Sequence, residues 1–262
     1  CCAGPLARRA ADLMPLLRII AGPEPGATDA DEPLLLDPAA VSFRGRRVHV
    51  CRKLGGLVSS PQPALLHALD QAKAALEDRG AEARPFRHGL LPLAMPIWGG
   101  MLASAGGPTF GELISADGSG VNVLSEIWRS LRGEARHMPE ALALAAIDDA
   151  MMSFDAPRAA FRALGRRLRS VFDTLLRDGG LLLLPVHPRV APRHREPLRY
   201  PLDWIYTAIF NVMELPATSV PMGLDEDGLP LAVQVVAAHG NDHLCIAAAL
   251  ALEQACGGWI AP

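Results

Sequence analysis

Hydrophobic residues fall into runs of two different periods, punctuated by proline and glycine. Leu6, Leu13, Leu16, Leu17 and Ile20 recur at helical spacing, which predicts a first helix over residues 5–20, ended at Gly22. Pro5 suits its first turn, where an N–H would have no intrahelical partner. Residues 22–38, rich in Pro, Gly and Asp, read as a surface loop. A short strand at 48–51, a helix over 61–79 and a strand at 81–85 follow. Residues 89–111 carry no charge, but Pro92, Pro96, Pro108 and several glycines interrupt them. They read as a buried helix with loops, since a membrane span needs about 20 consecutive apolar residues.

Residues 124–155 are predicted helical with a break at Pro139, and a long helix over 157–177 is closed by Gly179 and Gly180. The unbroken apolar run 181–186 suits a strand buried on both faces. Strands at 217–222 and 231–237 flank an acidic turn, Asp225 to Gly228. Asn241 is placed as the N-cap of a last helix over 244–255, with Asp242 complementing the helix dipole and Gly257-Gly258 stopping it. Helices interleaved with short buried strands predict an α/β fold, a mixed β-sheet core flanked by α-helices.

Composition narrows the function. The 262 residues carry a formal charge of −3, so there is no electrostatic footprint for nucleic acid. Five cysteines are an odd number and form no CxxC pair, which argues against a disulfide framework or a zinc site. Free thiols point to an intracellular setting, cytoplasmic or membrane-associated. No GxSxG elbow is present. His239 and His243 are four apart, but Asn241 between them starts the helix, so they share no helix face. His187 reads as a loop histidine. Gly55-Gly56-Leu57-Val58-Ser59-Ser60, with Lys53 nearby, reads as a strand-to-helix turn rather than a nucleophile. Lys73 is expected to pair with Glu77 one turn on, and Gln234 to be a satisfied buried amide.

The segment from Asn211 through Leu215-Pro216-Ala217, Pro221-Met222-Gly223, the acidic turn, Gly228-Leu229-Pro230 and Gln234 resembles the closing part of the amidase-signature family. Gly4-Pro5-Leu6-Ala7-Arg8, with Asp12 and Ala21-Gly22, resembles the helix that follows that family's catalytic core. Leu184-Pro185-Val186-His187-Pro188, Asn241-Asp242-His243-Leu244, Gly257-Gly258-Trp259 and Phe110-Gly111-Glu112-Leu113 resemble its fatty-acid amide hydrolase branch. The resemblance implies hydrolysis of the C–N bond of fatty-acid or other lipophilic amides by a Lys-Ser-Ser triad. It places that triad before Cys1, so residues 1–262 are expected to be the C-terminal portion of one amidase domain. No catalytic residue is assigned in this chain, which alone is expected to be inactive.

The same resemblance implies no metal and no organic cofactor. The expected partners are a lipophilic amide and the N-terminal half of the same protein, with no nucleic acid. A homodimer is compatible with the sequence and not required by it. Trp204, Tyr206, Thr207, Phe210 and Asn211, just before the matched strand, are candidates for substrate binding; core packing is the rival reading. Ile127, Trp128 and Leu131 form an apolar stripe flanked by arginines, so a lid or peripheral membrane contact is weighed against a packed surface helix. Two further functions stay open: an inactive amidase-like protein that binds lipid or a partner, and an amidotransferase-type amidase subunit.

Overall fold

The computed structural model describes residues 4–21, 36–104, 106, 109–115, 120–134, 136–138, 141–142, 144–146 and 155–261. The chain divides into two compact units. One comprises Cys1–Ala94 with Arg169–Pro262, the other Met95–Leu168.

The first unit holds a five-stranded sheet: β1 (Arg47–Val50), β2 (Glu82–Pro85), β3 (Leu181–Pro185), β4 (Ala217–Leu224) and β5 (Pro230–Val236), in the order β2-β1-β3-β5-β4. β1 runs parallel to both β2 and β3, whereas β5 is antiparallel to β3 and to β4. The sheet is therefore mixed, with β3 at the change of direction. All five residues of β3 are buried, as an uninterrupted apolar run requires of a central strand covered on both faces.

The two faces part by alternation. Val48, Val50, Leu181, Leu183, Val233 and Val235 pack in one core with α2 (Pro63–Glu77) and α8 (Asp242–Cys256). The opposite face meets the C-terminal end of α6 (Asp155–Leu175) and α7 (Ile205–Val212). There Phe172 lies 6.4 Å from Phe86 and 5.8 Å from Phe210, ring centre to ring centre. Gln234, on that face of β5, donates to Tyr206 O at 2.8 Å and to Pro185 O at 3.1 Å, a satisfied amide in an apolar layer. The β4–β5 turn is held by Asp225, whose Oδ1 accepts from Asp227 N and Leu229 N.

The second unit is helical, with α3 (Ala94–Ser104), α4 (Phe110–Ile114), α5 (Val123–Leu131) and the start of α6. A reciprocal cap opens α4: Thr109 Oγ1 accepts from Glu112 N, and Glu112 accepts from Thr109 N. Among the described residues no helix is long and apolar enough to cross a membrane.

Three sequence expectations need correction. Helix α1 (Leu13–Ile20) and the 3-10 turn before it (Ala10–Asp12) start well after Pro5. Leu6 is 97% exposed, so a helix there would bury nothing to offset its ordering cost. Asn241 occupies the N-cap of α8, but its side chain makes no capping bond. Helix α7 stands where the sequence reading assigns no element, because eight residues give little more than two turns of helical period. Pro139 and most of 22–38 lie outside the described residues.

Candidate functional site

Beyond β1 the chain enters the glycine-serine turn, and a polar latch fixes it. Ser59 N donates to Asp203 Oδ1 at 2.8 Å, and Arg189 Nε donates to Asp203 Oδ2 at 3.1 Å. Arg189 also reaches Ser59 Oγ at 3.1 Å and stacks on the Tyr200 ring, 3.3 Å from its centre. The Tyr206 hydroxyl donates to Ser59 O at 3.0 Å and accepts from Leu54 N at 3.4 Å. Burial pushes the Tyr206 phenol up to about 12 and the Cys51 thiol up to about 11, so both stay protonated near neutrality. Ser59 thus joins loops, its Oγ accepting from Arg189 and its N–H donating to Asp203. Lys73 pairs with Glu77 at 3.2 Å.

Along β4 lies a cleft of about 1120 Å³, reached by segment 4–17, the end of α7 and the start of α8. Leu13, Leu17, Val220, Ile246 and Trp259 give it apolar walls, Thr218, Ser219 and Asn211 add polar groups, and Arg8, Glu214, Asp242 and Glu253 add charge. Position along α7 decides which of the five predicted substrate residues reach the cleft, since only the end of the helix borders it. Phe210 and Asn211 line this cleft, whereas Trp204, Tyr206 and Thr207 do not. Tyr206 and Phe210, four apart, turn inward and are fully buried. Trp204 Nε1 donates to Pro201 O at 2.7 Å, and exposed Thr207 donates to Trp204 O. Ser219 and Trp259 line the cleft although the sequence reading proposes neither for the site. Ser219 carries a signal in retrospect, as a polar residue in a strand whose neighbour Val220 is buried. His239, also on the cleft, has Nδ1 2.9 Å from Glu214 O.

The profile of the family described as Amidase matches residues 1–246. The chain belongs to the amidase family. It is 36% identical to Fatty-acid amide hydrolase 2-A of Danio rerio over 100% of its own length and 49% of the relative's. It is also 29% identical to a Glutamyl-tRNA(Gln) amidotransferase subunit of Thermus thermophilus, over 96% of this chain and 55% of that one. The fold matches that of 6-aminohexanoate cyclic dimer hydrolase, with a TM-score of 0.64, 22% identity, and 95% and 54% of the two chains covered. The chain spans about half the length of the curated relatives it matches.

In this amidase chain, α5 presents Leu124 and Trp128 to solvent, 74% and 64% exposed, while Glu126 beneath them is buried and 3.4 Å from Arg129. The side chains of Ile127 and Leu131, predicted to share that stripe, lie outside the described residues.

Proposed function

We propose that the chain forms the substrate-accommodating C-terminal part of an amidohydrolase acting on fatty-acid or other lipophilic amides. Its Lys-Ser-Ser triad would be carried by a preceding segment. The similarity to Fatty-acid amide hydrolase 2-A along the whole of this chain carries the reading. The cleft along β4 supports it, because Leu13, Leu17, Val220 and Ile246 offer an apolar wall for an acyl chain beside charged groups at Arg8, Glu214, Asp242 and Glu253. In such a reaction a serine alkoxide attacks the amide carbonyl, backbone N–H groups hold the oxyanion, and the amine leaves with a proton. This chain's part is to seat the acyl group and exclude water. Exposed Leu124 and Trp128 support a peripheral contact of α5 with a lipid surface, from which such substrates come.

The test compares the purified chain with a polypeptide that joins it to a triad-bearing upstream half. The chain alone should release no amine from oleamide or an N-acyl ethanolamine above background. The joined polypeptide should hydrolyse both and prefer them to acetamide. Turnover by the chain alone, lost on Ser59→Ala or Ser60→Ala, would sink this placement of the chemistry. A joined polypeptide that prefers glutamine would favour the amidotransferase-type reading, which the Thermus thermophilus relative supports.

A further inference from the structure

Strands β1 and β2 run parallel and deliver Val50 and Pro85 to the same end of the sheet. Just beyond them, residues 52–55 and 87–92 enclose a second cleft of about 610 Å³, which shares no lining residue with the one along β4.

Charge sets this cleft apart. Arg52, Lys53, Arg87 and His88 line it, and no carboxylate does. Arg52 is matched by Asp70, but neither Lys53 nor Arg87 has an ion-pair partner among the described residues. Leu90 N donates to His88 Nδ1 at 3.2 Å, so the neutral ring carries its hydrogen on Nε2 and offers a donor. Behind the cations the wall is apolar, with Leu66 and Leu91.

The cleft is also held open in advance. Leu54 N is tied to the Tyr206 hydroxyl and Ser59 N to Asp203. Gly56 (φ +74°) sits so close to Pro92 that a Cβ there would lie 2.2 Å from the Pro92 carbonyl oxygen. The backbone of the cleft is thus set before a ligand arrives, and the ordering cost left to meet is that of the Lys53 and Arg87 side chains.

We propose that this cleft binds an amphiphilic oxyanion, its carboxylate or phosphate head held by Lys53 and Arg87 and its apolar body laid against Leu66 and Leu91. Planar guanidinium and compact ammonium groups are the usual receivers of such heads. The proposal does not rest on amide hydrolysis, so its test reads binding and not turnover.

Calorimetric titration of the chain in 50 mM NaCl would use octanoate, octyl phosphate, 1-octanol and inorganic phosphate. Octanoate and octyl phosphate should each saturate one site, and whichever binds more tightly names the preferred head. Octanol and inorganic phosphate, each lacking one half of the ligand, should bind at least tenfold more weakly. Lys53→Gln with Arg87→Gln should weaken both amphiphiles at least tenfold, and 500 mM NaCl should weaken wild type more than the variant. Both side chains are exposed, so the variant should melt with wild type. Each single substitution should give part of the loss. Octanol binding as tightly as octanoate, phosphate as tightly as octyl phosphate, or unchanged affinity in the double variant would each overturn the proposal.

Discussion

Asp203→Asn tests how the loop after β1 is held. The carboxylate is 4% exposed and its partner Arg189 20%, so the pair is shielded from water on most sides. One oxygen receives Ser59 N at 2.8 Å and the other Arg189 Nε at 3.1 Å. The amide keeps the shape and one acceptor, but leaves the guanidinium without a counter-charge. Breaking a fully buried pair costs about 3–5 kcal/mol; the partial exposure of Arg189 brings the expectation to about 2–3 kcal/mol. At roughly 2–4 °C per kcal/mol for a domain of this size, the melting temperature should fall by about 4–12 °C. Thermal melting by circular dichroism reads this directly. A second variant, Arg189→Met, and the double variant complete a cycle. The double variant should lose less than the two singles added together, since no lone charge is left behind. A D203N melt within 1 °C of wild type, or losses that add fully, would refute the latch.

Alkaline unfolding should begin early. The folded pKa values of Tyr206, about 12, and Cys51, about 11, stand above their ordinary values because burial disfavours the charged forms. Their contribution is whole below the unfolded values and is lost as pH rises through the folded ones. The urea midpoint should therefore drop between pH 9 and pH 12, and drop less above pH 10 in Tyr206→Phe. Gly56→Ala should destabilise more than Gly228→Ala. Both require positive φ, worth about 1–2 kcal/mol each, but only Gly56 also meets a backbone oxygen; urea melts giving the reverse order would refute the close approach. For α5, Leu124→Ser with Trp128→Ser should weaken binding to anionic liposomes at least tenfold at an unchanged melting temperature. Burying one large apolar side chain in lipid is worth about 1.5–3 kcal/mol. A collapsed melt with unchanged binding would make the helix face core instead.

The strands are readable where burial is extreme. β3 announces itself because five consecutive residues all need cover, and no polar residue interrupts them. The pairing of Lys73 with Glu77 and the satisfaction of Gln234 follow from spacing and from the cost of an unpaired buried amide. The latch does not follow. Asp203, Arg189 and Ser59 lie 14 and 130 residues or more apart, and no local pattern links them. Within α7 the sequence shows an apolar group near a motif but not its sorting, because which side of a short helix is core depends on where Phe172 and Phe86 arrive. The second cleft is likewise hidden. Its four basic residues come from two loops that only the parallel pairing of β1 with β2 brings together.

That strand order also bears on how the chain is made. β2, which pairs with one side of β1, follows it after roughly 30 residues, but the other neighbour of β1, β3, emerges roughly 130 residues later. At about 5–20 residues per second of synthesis, the inner edge of β1 waits about 7–26 s for its partner. During that interval the backbone N–H and C=O groups of residues 48–50 on that side lack their strand partners, a target for chaperones and for mispairing between neighbouring nascent chains. Slowing translation before β3 should therefore raise the aggregated fraction, and the completed sheet should be insensitive to it.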